Sequence, residues 1–217
     1  MHGKARRTLV VATTNPHKLT EIRGILTGLE WTVESIAAYS AGPPPEETGR
    51  TFAENARLKA RHYGRLAPHL TVADDSGLEI DGLDGEPGIH SARFNGATYA
   101  EKFDIIYSRL RERGALASPA RFVCAVAAAE GGRIVFEATG TIEGRVAEAP
   151  AGEGGFGYDP IFHVPRFNCT LAEVSAERKA AVSHRGQAFR RLREFMVSRG
   201  DPQQARPRTA GAARFTQ

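Results

Sequence analysis

The sequence predicts an α/β fold built on one mixed sheet, and three patterns support this prediction. Short apolar runs alternate with amphipathic segments of helical period early in the chain, as in parallel βα units. Two long apolar runs, 120–130 and 133–142, are separated only by Gly131-Gly132, which predicts an antiparallel hairpin. Stretches of the form Thr-x-x-Glu have the capping-box pattern and predict helix starts at Thr51, Thr98 and Thr170.

The strands are predicted where runs rich in apolar and β-branched residues lie between turn-forming residues. These runs are residues 8–13, 31–36, 70–73, 78–80, 120–130, 133–142 and 161–164. Residues 70–73 and 78–80 count as two strands because Ser76-Gly77, between them, predicts a turn. The first helix is predicted after Asn15-Pro16, since proline suits a first helical turn. The last helix is predicted around residues 189–196.

Length and composition predict a single globular domain. The chain has 217 residues, of which 41% are hydrophobic and 25% charged, and this is enough for one substantial core. We assign residues 1–200 to this domain. Residues 201–217 (DPQQARPRTAGAARFTQ) lack periodicity and are rich in Pro, Gly, Ala and polar residues. They predict a disordered basic tail.

The basic charge lies at the two ends of the chain. The formal net charge of +4 and the pI of about 9.3 would suit a nucleic-acid-binding module. However, Lys4, Arg6 and Arg7 contribute +3 and residues 201–217 contribute +2, so residues 8–200 carry about −1. The body of the chain lacks the basic surface that a nucleic acid requires, and we expect no nucleic-acid partner.

Cysteine usage and hydropathy indicate neither an exported nor a membrane protein. Cys124 and Cys169 have no CxxC spacing, which argues against a zinc site and favours a reducing compartment. No apolar run approaches bilayer length. The short apolar run near the N-terminus lacks a cleavage site of the signal-peptide type. We therefore expect a cytoplasmic protein without a membrane partner.

The first candidate site is the stretch TTNPHK, residues 13–18, between the first strand and the first helix. Ligands of open α/β sheets bind at the carboxyl ends of strands, and a helix N-terminus presents free N–H groups to phosphate. Thr13, Thr14, Asn15 and Lys18 can add hydroxyl, amide and ammonium groups. The P-loop pattern GxxxxGK[ST] is absent, and a plain helix cap with a solvated lysine also explains the stretch.

Two acidic stretches could hold a cation. Glu46-Glu47 lies in a proline-rich loop, where solvated charge is the ordinary explanation, and Asp74-Asp75 follows a predicted buried strand. Mg²⁺ takes one or two carboxylates together with waters and substrate phosphates. An Asx turn would explain one of the two aspartates but not the second.

The helix that begins at Thr51 carries a further candidate group. Asn55 and Lys59 are one helical turn apart, so they share a face. From that face Lys59 could reach either a phosphate or the solvent. Glu54 is explained as the capping partner of Thr51.

Two later stretches complete the candidates. Residues 152–160 (GEGGFGYDP) combine glycines, which let a ligand approach the backbone, with Phe156 and Tyr158, on which a base could stack. A flexible loop beside core aromatic residues is the alternative explanation. Lys179 and the run SHRG at residues 183–186 are basic, which also suits an exposed helix start.

Five segments together resemble the inosine/xanthosine triphosphate pyrophosphatase family, in the order that the family has them. They are TTNPHK, EETGRTFAENARLKA, ADDSGLEIDGLDGEPGIHSARF, GEGGFGYDPIF and AERKAAVSHRGQA, between Thr13 and Ala188. The resemblance implies an elongated α/β fold with a mixed sheet flanked by helices, two lobes and a central cleft, usually in a homodimer. It also implies Mg²⁺-dependent hydrolysis of ITP, dITP and XTP to the nucleoside monophosphate and pyrophosphate.

The resemblance further implies roles for individual residues. Asp75 would be the general base and, with Glu47, a magnesium ligand, while Glu46 and Asp74 would support them. The triphosphate would contact Thr13, Thr14, Asn15, Pro16, His17, Lys18 and Lys59. Further substrate contacts would come from Ser76, Phe156, Gly157, Tyr158, Asp159, Lys179, His184 and Arg185, with Phe156 stacking on the base. Thr14 departs from the glycine that the family often has at this position, and Pro16 removes one backbone donor.

Base selection and the choice between function classes stay open at this point. Donors from Arg185 and from a protonated or suitably tautomeric His184 would favour a 6-oxo purine over adenine, but they would not exclude guanine. A pyrophosphatase acting on pyrimidine triphosphates would also suit the glycine-aromatic loop. A nucleic-acid-binding module would instead show salt-dependent affinity for DNA or RNA.

Overall fold

The computed structural model describes residues 7–39 and 42–200, and its strands form one mixed sheet. The seven strands are β1 Arg7–Val11, β2 Trp31–Ser35, β3 Leu70–Ile80, β4 Pro119–Glu130, β5 Arg133–Val146, β6 Phe162–Val164 and β7 Cys169–Thr170. The α-helices are α1 Pro16–Ile25, α2 Phe52–Gly64, α3 Tyr99–Glu112, α4 Ala176–Val182 and α5 His184–Gly200. The segment 201–217, predicted to be a disordered tail, lies outside the described residues, as do Lys4 and Arg6.

The predicted α/β class with a mixed sheet is confirmed. The strand order is β2-β1-β3-β4-β5-β6-β7. Strand β1 is parallel to β2 and β3, whereas every pair from β3 to β7 is antiparallel. The predicted hairpin between β4 and β5 is also confirmed, and Gly131 and Gly132 both have positive φ, as a tight turn of this kind requires. None of the described helices has the length and apolar character that crossing a bilayer demands.

Strand β3 is continuous, and the predicted turn at Ser76-Gly77 is wrong. The four residues from Asp74 to Gly77 all pair with β4, in an unbroken register from Thr71 to Ile80. Gly77 is needed for close packing and not for a turn, because a Cβ there would collide with Ser91 Oγ and the carbonyl oxygen of Gly88. A strand can carry these polar residues because partners from distant segments satisfy their side chains, as described below.

The prediction of a helix starting at Thr170 is also wrong. Thr170 does form a capping box with Glu173, but it opens only a 3₁₀ turn, Leu171–Glu173. A new helix, α4, then begins after Ser175, whose side chain accepts a hydrogen bond from the backbone N–H of Arg178. The other two predicted helix starts are confirmed, at Thr51 for α2 and at Thr98 for α3.

The two faces of the sheet are covered by different helices. On one face α1 and α5 pack on apolar residues that include Val72, and on the other face α2 packs on residues that include Ala73. A third apolar cluster surrounds α3 at the far ends of β3, β4 and β5, and it includes Leu78 and Ile80. The middle of β3, from Asp74 to Gly77, therefore lies between the two clusters that pack on α1, α5 and α2 and the third cluster around α3.

Candidate active site

Asp74 and Asp75 leave β3 on opposite faces of the sheet. Side chains alternate along a strand, so Asp74 follows Val72 toward α1 and α5, and Asp75 follows Ala73 toward α2. Their side chains are 1% and 10% exposed. The adjacent carboxylates that were unexplained in the sequence thus belong to two different clusters.

The carboxylate of Asp74 is held by two cations and a hydroxyl. Its Oδ2 lies 2.9 Å from Lys18 Nζ and 3.2 Å from Arg185 Nη2, and it accepts a hydrogen bond of 3.1 Å from Ser76 Oγ. Burial by itself would raise the pKa of Asp74, but the charges of Lys18 and Arg185 outweigh burial and hold the pKa well below its ordinary value. Asp74 is therefore a fixed anion that orients these groups.

These contacts continue into a chain of alternating charges. Arg185 Nη1 lies 2.7 Å from Glu21 Oε2, and Lys179 Nζ lies 2.6 Å from Glu21 Oε1 and 2.5 Å from Asp159 Oδ2. We call this set the Asp74 network, and in order it comprises Lys18, Asp74, Arg185, Glu21, Lys179 and Asp159. Glu21 was not among the predicted site residues, although it is the acidic residue of α1 one turn after Lys18.

The carboxylate of Asp75 belongs to a smaller cluster around Lys59. Lys59 Nζ lies 2.8 Å from both Asp75 Oδ1 and Glu47 Oε1. Asn55 donates to Asp75 Oδ2 at 3.3 Å, and Arg93 Nη1 lies 2.9 Å from Glu47 Oε2. We call these five residues the Asp75 cluster. Asn55 and Lys59, which the sequence placed on one helix face, both reach the carboxylate of Asp75, a contact that the sequence analysis did not predict, and Arg93 was missed.

The pKa of Asp75 is shifted in the opposite direction to that of Asp74. Burial raises the pKa of Asp75 by more than the Lys59 charge lowers it. Burial also acts to raise the pKa of Glu47, but the hydrogen bonds and charges of Lys59 and Arg93 together outweigh it, and the pKa is lowered. For Lys59 itself burial lowers the pKa, yet the carboxylates of Asp75 and Asp74 outweigh it and raise the pKa.

The donor set of the Asp75 cluster fits Mg²⁺ bound together with a phosphorylated substrate. Glu47 and Asp75 already converge on one cation, the Lys59 ammonium. In the parts of the chain that the structure describes, no three His, Cys, Asp or Glu side chains gather as a ligand set, so a full protein cage is not available. Two carboxylates with waters and phosphates are the usual magnesium environment. Glu46, by contrast, is exposed.

The prediction that residues 13–18 bind phosphate through the free N–H groups of a helix N-terminus needs one change. The side chain of Asn15 caps α1, and its Oδ1 accepts the backbone N–H groups of His17 at 2.9 Å and Lys18 at 3.3 Å. Pro16, the first residue of α1, has no N–H. The helix N-terminus therefore keeps its early donors for its own cap. What faces a cavity of about 320 Å³ is a set of side chains that includes Thr13, Thr14, Lys18, Glu47, Lys59 and Asp74.

A second cavity, of about 100 Å³, lies on the other side of Lys18. Its lining includes Asn15, Lys18, Ser76, Tyr99, Phe122, Phe156, Gly157, Tyr158, Asp159, Lys179, His184 and Arg185. Tyr158 is almost fully buried, and its hydroxyl donates to the Ser91 carbonyl oxygen at 2.8 Å, so it supports the wall. Tyr99, which the sequence analysis missed, is a partly exposed aromatic residue of this lining, with 42% of its surface accessible.

His184 and Arg185 lie deep in this second cavity. The His184 ring stacks on Phe122 with centroids 4.8 Å apart, and burial together with the charge of Arg185 holds the pKa of His184 well below its ordinary value. A neutral imidazole is therefore expected, and the protonated form considered from the sequence is disfavoured. Among the described residues, His184 Nδ1 and Arg185 Nε are buried without a hydrogen-bond partner.

Comparisons with known proteins agree with this architecture. The model of the Ham1 family matches residues 9–195. A protein named dITP/XTP pyrophosphatase from Exiguobacterium sp. is 46% identical over 87% of this chain and 96% of its own length, and one of the same name from Thermus thermophilus is 44% identical over 86% and 90%. Among solved structures, a HAM1 protein from Coxiella burnetii superposes with a TM-score of 0.81 at 38% identity, covering 88% of this chain and 99% of that one.

Proposed function

The chain belongs to the Ham1 family of nucleoside-triphosphate pyrophosphatases, and we propose that it hydrolyses the non-canonical purine triphosphates ITP, dITP and XTP. The products are the nucleoside monophosphate and pyrophosphate, and the cofactor is Mg²⁺. The similar proteins from Exiguobacterium and Thermus carry names that specify dITP and XTP as substrates. We further propose that residues 1–200 form one domain, that the protein is a homodimer and that it acts in the cytoplasm to clear such nucleotides.

One observation carries the assignment of the substrate to this site. Two adjoining cavities differ in their linings: threonines, lysines and carboxylates surround the first, and only the second has Tyr99, Phe122, Phe156 and Tyr158 in its wall. Lys18 lines both. A nucleoside triphosphate has the same division, with anionic phosphates at one end and a flat base at the other. We therefore place the triphosphate in the 320 Å³ cavity and the base against Phe156.

In the proposed reaction, water attacks the α-phosphorus and pyrophosphate leaves. Asp75 accepts a proton from the attacking water, and its raised pKa brings it nearer to the pH at which a general base works best. Lys18 and Lys59 offset the negative charge that develops on the phosphate oxygens. Glu47 and Asp75 would hold Mg²⁺, which supplies charge neutralisation and orientation of the phosphates when bound.

The proposed base selection depends on donors inside the second cavity. Arg185 uses Nη1 and Nη2 on Glu21, Asp74 and Ser76, which leaves its Nε–H for a ligand. A neutral His184 can donate from one ring nitrogen, depending on its tautomer. A 6-oxo group would satisfy these donors, whereas the 6-amino group of adenine would meet donor with donor, and such a mismatch can discriminate by about 10⁴-fold.

Three arginines of α5 have a structural use that does not involve nucleic acid. Arg190, Arg191 and Arg193 of α5 all donate to backbone carbonyl oxygens. These acceptors are Ala180, Thr139, Ile25 and Thr27, three of them at or next to the ends of α4 and α1. Basic side chains near a helix C-terminus stabilise its free carbonyl groups, so these arginines bind the protein's own backbone.

The test is a panel of nucleotides incubated with the protein and Mg²⁺. ITP, dITP, XTP, GTP, ATP and dTTP are compared, and pyrophosphate, orthophosphate and nucleotide products are measured in each. We expect pyrophosphate and monophosphate from ITP, dITP and XTP, with little turnover of ATP, GTP or dTTP. Orthophosphate with a nucleoside diphosphate would rule out attack at the α-phosphorus, and preferred turnover of dTTP would point to the pyrimidine alternative.

A further inference from the structure

The ring of Phe156 is covered by a residue of the phosphate-side loop. The imidazole of His17, in the first turn of α1, stacks on Phe156 with ring centroids 5.4 Å apart and an interplanar angle of 15°. His17 comes from the TTNPHK stretch and Phe156 from the glycine-rich loop, so the contact joins the two sides of the site. His17 lines neither the triphosphate cavity nor the second cavity, so its ring lies against Phe156 outside both.

The other groups packed on Phe156 cannot move away easily. Lys179 Nζ lies 4.9 Å and Arg185 Cζ 5.5 Å from the ring centroid. Both side chains are almost fully buried, and each is held by two carboxylates. Moving either would leave buried charges uncompensated, which is strongly unfavourable. These two cations are therefore fixed neighbours of the ring.

His17 is free to move in a way that these cations are not. Its backbone N–H is fixed by Asn15, but the residue is exposed and, among the described residues, no hydrogen bond to its imidazole is found. A rotation about its side-chain bonds would take the ring off Phe156 and leave the helix cap unchanged. Exposed side chains make such rotations on the picosecond to nanosecond scale.

The small size of the second cavity, which Phe156 lines and which we call the base-side cavity, also indicates that a base needs a rearrangement to enter. Its volume is about 100 Å³, whereas pockets for small ligands generally occupy about 300–1,000 Å³. A purine stacked on Phe156 therefore needs space that the present arrangement does not supply. Removal of the His17 ring exposes the aromatic surface on which the base would lie.

We propose that His17 is a movable cover of the base subsite, which a purine displaces when it stacks on Phe156. This inference rests on the proposed function. It also changes the role implied for His17 by the family resemblance, from a triphosphate contact to a residue that acts on base binding. Because the cover must leave before any base can enter, it lowers the affinity for all bases by the same factor and does not choose among them.

Kinetics of two variants give the first test. The His17–Phe156 stack must be broken before a base can bind, so its removal should strengthen binding by the free energy of one aromatic pair. His17→Ala should therefore lower the KM of ITP and of XTP alike by about 2- to 12-fold, with kcat little changed. His17→Phe keeps a stacking ring and should return KM to the wild-type value or above it. Inhibition by tripolyphosphate, which has no base, should be the same in all three proteins. A raised KM or weaker tripolyphosphate inhibition in His17→Ala would show that His17 contacts phosphate and would overturn the proposal.

Nuclear magnetic resonance of protein labelled with ¹³C-histidine gives a test that does not depend on turnover. The His17 ring signals, identified by their loss in His17→Ala, should be displaced by the Phe156 ring current and should move to exposed-histidine positions as inosine monophosphate is added. The His184 signals should shift in the same titration, because His184 lies in the base cavity.

The outcomes separate this proposal from the proposed function. If inosine monophosphate shifts the His184 signals but the His17 signals keep their stacked positions, His17 is not a movable cover, whereas the proposed base site is supported. If saturating inosine monophosphate shifts neither histidine, both the base site and the cover are wrong. Unperturbed His17 signals in the free protein would also overturn the cover, because the stack would not exist in solution.

Discussion

The Asp74 network and the Asp75 cluster are built from neighbouring residues of one strand, yet they differ in how their charges are held. In the network, cations and carboxylates alternate, and Asp74, Arg185 and Lys179 have side chains only 1–6% exposed. In the cluster, Arg93 is 52% and Glu47 23% exposed, and both come from segments outside the sheet. The network is mostly buried, with Lys18 and Glu21 partly exposed at its edge, and the cluster is more open to solvent through Arg93.

The difference indicates which of these two adjacent carboxylates is available for chemistry, although burial also raises the pKa of Asp159 at the far end of the network. The surrounding cations stabilise the charge of Asp74 and of Glu21, and they hold the pKa of each below its ordinary value despite burial. Burial raises the pKa of Asp75, so its negative charge is incompletely compensated by the protein. A group of this kind gains most from an external cation or from a proton. We infer that Asp74 is a positioning residue and that Asp75 is the reactive one.

The largest expected effect is on activity, from Asp75→Asn. The amide cannot accept the proton of the attacking water, and loss of a general base typically lowers the rate by about 10²- to 10⁴-fold. The unfolding temperature should stay near or above that of the wild type, because the substitution removes a charge that burial disfavours. Turnover of ITP and thermal unfolding are measured together, with Asp104→Asn, at an exposed position of α3, as the control. Near-normal turnover would contradict the assignment of Asp75.

The second effect is on stability, from Asp74→Asn. Removing one partner of a buried ion pair leaves an uncompensated charge and costs about 3–5 kcal/mol. We expect a value near the low end of that range, since Lys18 is 19% exposed and can turn to solvent while Arg185 keeps Glu21. Urea unfolding of the two Asn variants gives the comparison directly. Equal stability of Asp74→Asn and Asp75→Asn would show that the two carboxylates are not held differently.

The parts of the fold that follow local patterns were predictable from the sequence. The hairpin at Gly131-Gly132 and the helix start at Thr98 depend on residues that are close together in the chain, and both were predicted correctly. The continuity of β3 was not predictable, because Asp74 and Asp75 resemble a strand end until Lys18, Lys59 and Arg185 are placed around them. Such contacts between distant segments override local turn propensity.

The candidate site, like the fold, could be predicted from the sequence only where local patterns decide it. The motifs named residues that the structure gathers around two cavities. Residue type and spacing could not show that Asn15 uses its side chain to cap α1 or that Lys59 bridges two carboxylates. Glu21 was missed because an acidic residue on an amphipathic helix is most often solvated. Its role depends on α4 and α5, which carry Lys179 and Arg185 and follow it by more than 150 residues.

The third prediction concerns Glu21 and pH. Glu21→Gln should destabilise the protein at pH 7 by about 1–3 kcal/mol, since Arg185 and Lys179 each lose one charged hydrogen-bond partner but keep another. The pKa of Glu21 is lowered in the folded state, so its contribution is complete above the unfolded value near 4.5 and is lost as pH falls through the folded pKa. Urea unfolding of wild type and variant between pH 7 and pH 3 should therefore give a difference that shrinks toward acid. A difference that grows toward acid would contradict the direction of the shift.

The smallest expected effect is at an exposed ion pair, Arg57 with Glu137, which joins α2 to β5. Both side chains are more than 40% exposed, so water and salt screen the attraction, and ordering two long side chains opposes it. Exposed pairs of this kind contribute about 0.2–1 kcal/mol. Glu137→Gln is the matched substitution for Glu21→Gln, because each replaces a carboxylate that faces arginine by the isosteric amide. Urea unfolding at pH 7 should show a change below about 1 kcal/mol, reduced further by added salt. If Glu137→Gln cost as much as Glu21→Gln, burial would not be what distinguishes the Asp74 network from an ordinary surface pair.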